Sequence, residues 1–484
     1  MINLRPVIRF TGVLLVIIGV FMLLTLPVSL YYGGTDFYPI LWSALACIAP
    51  GFPMWYFIKA RTGSNIGKRE GYLIVAIGWF AMAFFGMLPF ILSGVMPHWH
   101  DAFFETASGI TTTGATVLTD IEALPEGILF WRSLTQWIGG MGIIVLTVAL
   151  MPLLGIGGIE LFVAESTGTA SDKVHPRIRE TAKRLWLIYV GLTTVLVLLL
   201  YLGGMSLFDA VNHAFTTMAT GGFSTKNSSI AHFQSNFIEY TIVIFMLIAG
   251  TNFSMLYYML KRRFDMVSKN EEFKFYLLIT AIITLVITLG LLSGGNHDIE
   301  KAFRHSLFTV TAIITTTGFA STDYELWGTG LSMVLFLCLF LGGSAGSTAG
   351  GIKIVRHLVF IKNSFLEFKR ILHPRAIVPL KISGQVVAPR IMTHIIIFLL
   401  LYLLLTLLGS MVLSMMGIHF DTAIGATATC LGNIGPAIAE VGPTDNFGWM
   451  PPAAKWTLSF LMIMGRLEIF TIAILFTPFF WKSN

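Results

Sequence analysis

Apolar runs recur along this chain, near 7–31, 38–58, 71–95, 128–152, 184–204, 236–260, 273–294, 326–341, 391–416 and 454–480, and each approaches the roughly 20 residues a helix needs to cross a bilayer. No soluble fold can hide that much apolar surface, because backbone and side chains of this kind are satisfied together only in lipid-embedded helices. Composition agrees: 55% of residues are hydrophobic and 12% charged, with a mean hydropathy of +0.79, far from a soluble domain. The reading is an all-α integral membrane protein of about ten transmembrane helices. The first run follows Arg5 and Arg9 as a signal peptide would, but it is longer than an h-region and lacks a small-x-small cleavage pattern, so we expect it to be retained. Cys47, Cys338 and Cys430 have neither metal-ligand spacing nor an even count and receive no redox or catalytic role.

Orientation follows from Lys and Arg, which accumulate on the cytoplasmic side. Ten crossings from an inside N-terminus put the basic loops 59–69, 172–184, 261–274 and 353–390 and both termini on one side. Of 31 Lys and Arg residues, only Arg132, Lys226, Lys301, Arg304, Lys455 and Arg466 fall elsewhere. The net charge of +6 is this inside bias, spread over separate loops that suit anionic lipids, and it does not indicate nucleic-acid binding.

Four connections on the outer side share a pattern. They read DAFFETASGITTTGAT from Asp101, DAVNHAFTTMATGGFST from Asp209, KAFRHSLFTVTAIITTTGFAST from Lys301 and DTAIGATATCLGNIGPA from Asp421. Each is a short helical stretch, a polar Thr/Gly segment and a loop, set between two apolar runs. A single such segment would be an ordinary turn; four at matched positions argue otherwise. The chain therefore divides into an N-terminal helix pair (1–69) and four helix, pore-loop, helix repeats at 70–152, 183–262, 272–356 and 388–484. Irregular backbone at membrane depth persists only where protein buries it or it lines a watery cavity, so four re-entrant loops imply a pseudo-fourfold ring about one axis.

A cation leaving water needs a ring of oxygens, and backbone carbonyls supply one without a fixed charge. Glycine tolerates the left-handed backbone that turns carbonyls inward, which singles out Gly114, Gly222, Gly318 and Gly435. The residues before them, Thr111, Thr112 and Thr113, Thr220 and Gly221, Thr316 and Thr317, Asn433 and Ile434, would line the narrow part as a cation filter. The short helices would aim their partially negative C-termini at the pathway. Asp101, Asp120, Glu122, Glu126, Asp298, Glu300, Asp323, Glu325, Glu440 and Asp445 crowd the outer loops and would concentrate cations there, although polar outer loops need no such purpose.

These residues resemble the bacterial Trk/Ktr-type potassium uptake proteins, specifically the membrane, ion-translocating subunit of the Trk system, over nearly the whole chain. The resemblance rests on four pore loops with one filter glycine each and on the extra N-terminal helix pair. It implies K+ as the transported ion, no organic cofactor, a homodimer with one pore per protomer in the bacterial inner membrane, and a cytoplasmic nucleotide-binding regulatory ring as partner.

Two further features enter this reading. Gly342, Gly343, Ser344, Ala345, Gly346, Ser347, Thr348, Ala349, Gly350 and Gly351 place five glycines in ten residues, where each costs a helix about 1 kcal/mol against alanine. The helix should break there, beneath the filter. A phosphate-binding P-loop does not fit, since Gly351 is followed by Ile352 and not by Lys. Arg466 is the basic residue near the middle of the last apolar run and must face the interior; pairing with Glu468 is disfavoured because i,i+2 residues do not share a helix face. The resemblance implies that the glycine-rich loop is an intramembrane gate and that Arg466 lies near the pore. The segment 353–390 follows the loop directly, which makes Lys353 and Arg356 candidates to transmit a partner's movement.

Two rival classes are weighed. A symporter coupling sodium or protons to potassium would carry more acidic residues within its spans than Glu105, Glu160, Glu239 and Glu468. An enzyme would show convergent titratable or metal-ligating residues, whereas His213, His305 and His394 are scattered. The fourth loop, with NIGP in place of Thr/Gly sequence, departs most from the pattern.

Overall fold

The computed structural model describes residues 2–58, 67–145, 174–294, 298–376 and 378–482. Glu160, the end of the apolar run 128–152 and most of the basic loop at 59–69 lie outside them. Among the described residues six helices are long and apolar enough to cross a membrane: Leu4–Tyr31, Phe37–Tyr56, Lys68–Leu92, Glu180–Leu202, Glu271–Ser293 and Pro389–Met415. Counting each of two bent pairs as one span gives up to eight. Each remaining run contains a shorter or less uniformly apolar helix, Glu126–Val145 and Thr329–Cys338.

The bent pairs correct the expectation of unbroken spans at 236–260 and 454–480. Asn236–Ala249 meets Phe253–Leu260 at 104°, and Pro452–Arg466 meets Phe470–Phe476 at 108°. At the first bend the Asn252 side chain caps the new helix by accepting from Ser254 N at 2.8 Å, while Gly250 O accepts from Ser344 N at 2.9 Å. A capping Asn offers the backbone an alternative to the helical ladder. At the second bend Glu468 and Ile469 both take positive φ, 59° and 50°, ending the helix at Arg466. Arg466 thus occupies a helix terminus, at the break within this bent pair. One small β-hairpin, Lys381–Ile382 with Gln385–Val386, also departs from an all-α reading. Its two-residue turn has positive φ at Ser383 and Gly384, the geometry that suits right-twisted strands.

The N-terminal pair is joined through small residues. A side chain on Gly12 would strike Met54 Cβ and Gly51 O, and one on Gly51 would strike Gly12 O, so the helices approach at backbone distance. Buried Asp36 then ties the pair to the next repeat, accepting from Ile128 N at 2.8 Å and from the Ser29 hydroxyl.

Four short helices form the centre: Trp99–Ile110, Leu207–Met218, Ile299–Ile314 and Phe420–Gly432. Each carries an acid in its first turn, Asp101, Asp209, Glu300 and Asp421, where the positive end of the helix dipole favours it. That is the physical content of the acid heading three of the sequence copies. The first three pack against the closing helix of another repeat, namely Pro452–Arg466, Glu126–Val145 and Asn236–Ala249 in that order. The repeats therefore interlock around a centre instead of standing side by side.

Candidate functional site

All four short helices end the same way. Thr112, Thr220, Thr316 and Asn433 take left-handed φ of 54°, 54°, 56° and 54°. Each donates its own N–H three residues back, and the next residue donates five residues back, as Thr113 N does to Ser108 O at 2.8 Å and Thr317 N to Ala312 O at 2.8 Å. This is a Schellman ending, which usually places Gly at the left-handed position. A β-branched residue there costs of order 1–3 kcal/mol and persists only when its surroundings over-determine it. The sequence reading placed left-handed backbone at the glycines alone and missed these four positions. Two residues further on, Gly114, Gly222, Gly318 and Gly435 also have positive φ, 86°, 77°, 74° and 106°.

The four glycines close a ring. A Cβ on Gly114 would fall within 3.0 Å of Gly221 O, one on Gly222 of Thr317 O, one on Gly318 of Ile434 O, and one on Gly435 of Thr113 O. Each segment thus fills the space left by its neighbour's missing side chain, first to second to third to fourth to first. All four glycines line one outward cavity of about 140 Å³. Thr111, Thr112, Thr113, Thr220, Gly221, Thr316, Thr317, Asn433 and Ile434 are buried, and none of them is among the residues lining that cavity.

Side chains behind the ring hold it. Thr111 and Thr113 hydroxyls meet at 2.7 Å and Thr315 and Thr317 at 2.8 Å. Gln136 donates to Gly221 O at 2.7 Å and accepts from Phe223 N at 3.1 Å. His213 meets the Ser224 hydroxyl at 2.9 Å and Asp209 accepts from Thr225 at 2.5 Å. Asn433 departs from the Thr pattern: its amide donates to Thr113 Oγ1 at 3.0 Å and Met462 O at 2.9 Å, spanning the first and fourth segments. Gln136 was passed over in the sequence, and Arg132 was noted only as a basic residue outside the cytoplasmic loops, because both sit in an apolar run; polar residues at that depth were the available signal.

Directly inward lies the glycine-rich segment 342–351, an irregular stretch after the helix Thr329–Cys338. Gly342, Gly343 and Gly350 permit close backbone approach, and Gly346 and Gly351 have φ of 74° and 65°. Gly350 N donates to Thr316 Oγ1 at 2.6 Å. Thr348 Oγ1 donates to Met218 O and Ala249 O at 3.1 Å, and Ala345 N donates to Glu272 at 2.7 Å. Ser344 and Ser347 are buried with Ala349. Arg466 Nη1 donates to Thr348 O at 2.8 Å, while its Nε and Nη2 and the Asn433 Oδ1 are buried without partners. Glu468 pairs with Arg356, not Arg466, and Arg356 also lies 3.8 Å above the Phe398 ring. Lys353 reaches back to Ala349 O.

The outer acids do not form a uniform field. Asp101 is paired with Lys455 at 2.5 Å, Asp120 and Glu122 are engaged by Asn227, and Glu300 by Arg304. Glu325 shares a second outer cavity with Asp421, Glu440 and Asp445. Its carboxyl is pushed above the usual range by burial and then by Asp323, Asp445 and Asp421. Among the described residues no group of His, Cys, Asp and Glu could hold a metal ion.

Comparison with known proteins bears on this geometry. The family of TrkH cation transport proteins matches residues 40–483. The Trk system potassium uptake protein TrkH of Salmonella typhimurium is 38% identical over 487 residues, covering 99% of each chain. TrkG of Escherichia coli, also a Trk system potassium uptake protein, is 35% identical over 99% of each chain. The crystal structure of the potassium transporter TrkH from Vibrio parahaemolyticus superposes with a TM-score of 0.91 at 37% identity, covering 99% of this chain and 100% of that one.

Proposed function

The chain belongs to the TrkH family of cation transport proteins, and from that premise we propose that it takes up potassium through a selective pore closed by an intramembrane loop. It is a multi-pass transport protein and not an enzyme. The observation that carries the reading is the closed ring of glycines and carbonyls around one cavity: four strained segments, each locked by the next, are what a cation-sized oxygen cage requires. Ten transmembrane helices with four re-entrant loops, in pseudo-fourfold order, would frame it. The filter is Thr111–Gly114, Thr220–Gly222, Thr316–Gly318 and Asn433–Gly435, and potassium as its ion is supported by what the relatives are named for.

The segment 342–351 is the gate in this reading, latched by Gly350 to the filter residue Thr316 and by Thr348 to Arg466. The latch also extends outward: the helix Ile354–Leu372 leaves the loop carrying Lys353 and Arg356, and a cytoplasmic nucleotide-binding ring pulling on it would move the loop. A homodimer in a bacterial inner membrane with both termini inside completes the proposal. The alternative, a symporter coupled to sodium or protons, gains no particular support, because Glu105, Glu239 and Glu468 are each committed to an arginine.

The test is flux from liposomes holding wild type, a 344–349 deletion or Gly114→Ser. Potassium flux that rises on deletion and loses selectivity with serine is expected. Flux requiring a sodium or proton gradient would move the protein to the symporter class, and none in any variant would overturn the pore.

A further inference from the structure

One buried ion pair stands immediately behind the ring and on one side of it only. Glu105, in the first short helix, and Arg132, in Glu126–Val145, meet at 2.7 Å with side chains 0% and 2% exposed. Both carboxylate oxygens are occupied. Oε1 accepts from Arg132 Nε and from Thr116 Oγ1 at 2.9 Å, and Oε2 accepts from Thr116 Oγ1 at 3.0 Å and Val117 N at 2.9 Å. Thr116 and Val117 are the residues by which the first segment leaves Gly114. Arg132 works on the second segment: Nη1 donates to Ser224 O at 2.9 Å and the guanidinium lies 3.6 Å above the Phe223 ring. Phe223 and Ser224 directly follow Gly222. Thr116 O in turn accepts from Phe447 N of the fourth repeat at 2.8 Å.

The other segments are steadied differently. The fourth is held by neutral bonds from Thr429 to Gly435 O and Pro436 O, and after Gly318 Ala320 donates to the Ser229 hydroxyl and accepts from Ile230 N. Arg304 of the third repeat gives its hydrogen bonds to Glu239 of the second at 2.6 Å and to Glu300 at 2.9 Å. A buried carboxylate and guanidinium cost desolvation and are poor devices for stability alone. They do fix geometry, because a carboxylate accepting from three donors and a planar fork reaching two partners define positions that neutral hydroxyls leave looser.

We propose that Glu105 and Arg132 are positioning residues for ion selectivity, setting the register of the first filter segment against the second. This rests on the filter reading above. Glu105 stands outside the lining of the outward cavity, whereas Arg132 forms part of it beside Gly222 and Ser224. Glu105→Gln keeps the shape but sets an amide NH2 against donors that a carboxylate would accept. Arg132→Lys keeps the charge and loses the planar fork.

The experiment measures the potassium-to-sodium permeability ratio from reversal potentials of the reconstituted full chain, for wild type, Glu105→Gln, Arg132→Lys and the control Glu239→Gln. We expect potassium flux to persist while the ratio falls roughly tenfold in Glu105→Gln, the change that 1.4 kcal/mol of lost discrimination makes. Arg132→Lys should fall less, and Glu239→Gln should keep the wild-type ratio. An unchanged ratio in a folded Glu105→Gln would overturn the proposal, as would an equal fall in Glu239→Gln. If Glu105→Gln does not fold, Arg132→Lys decides alone, an unchanged ratio overturning the proposal. A wild type that does not select potassium would instead overturn the filter reading itself.

Discussion

The four ring segments proposed as a filter and the glycine-rich loop beneath them are both short, buried and irregular, yet they are held in different ways. Around the filter, each glycine's empty side is filled by the next segment's carbonyl, and clamps come from its own or the adjoining repeat: Gln136, His213, Thr429, Glu105 with Arg132. The loop is held by bonds to its own repeat and to two others: Thr348 to Met218 O and Ala249 O, Gly350 to Thr316, Ala345 to Glu272, Arg466 to Thr348 O. Two nitrogens of Arg466 stay unpartnered. Contacts between adjoining segments around a strained ring resist displacement, whereas bonds among elements distant in the chain can be exchanged for others, which is what two alternative arrangements require. In the proposed reading, strain marks the rigid part and long-range bonding the movable one.

The contrast can be broken most severely at the ring. Gly222→Ala puts a Cβ onto Thr317 O at positive φ; the left-handed penalty alone is about 1–2 kcal/mol, and flux assays should show potassium selectivity abolished rather than reduced. Next comes Arg466→Gln. Losing a hydrogen bond from a charged donor, worth about 1.5–3 kcal/mol, should raise resting potassium flux about tenfold or more with selectivity intact; unchanged flux would deny the latch. Thr316→Val removes the acceptor for Gly350 N, a neutral bond of about 0.5–1.5 kcal/mol, and should give a several-fold rise that Thr316→Ser restores.

The smallest effect belongs to the outer face, touching neither region. Glu325 has a raised carboxyl pKa, so folding favours its protonated form, and the cost of its charge is absent at acid pH and appears as pH rises through that raised value. Glu325→Gln should leave Tm unchanged under acid conditions and raise it slightly near about pH 7. A Tm gain that is equal at both pH values would remove the carboxylate as its cause.

Membrane class and the positions of all four short helices were legible in the sequence, because hydropathy and repeated spacing report on elements that each span many residues. The bends at Gly250–Asn252 and Leu467–Ile469 were not, since one cap or two left-handed residues stop a helix without altering its average hydropathy. Left-handed Thr112, Thr220 and Thr316 were hidden for a related reason: residue type forecasts local preference, and here the neighbouring segments override it. Arg132 was noticed only as a basic residue outside the cytoplasmic loops. Its partner Glu105 lies in a different helix, and nothing in linear spacing joins them.

Gly435 meets Thr113 O, and Asn433 meets Thr113 Oγ1 across 320 positions of chain. The first and last repeats therefore supply the two sides of one seam. During synthesis the earlier quarters enter the membrane long before the fourth exists, and until it arrives the ring has an open flank. A chain cut short anywhere before residue 433 lacks both contacts, so the closing of the ring waits on the last stretch of the chain to be made.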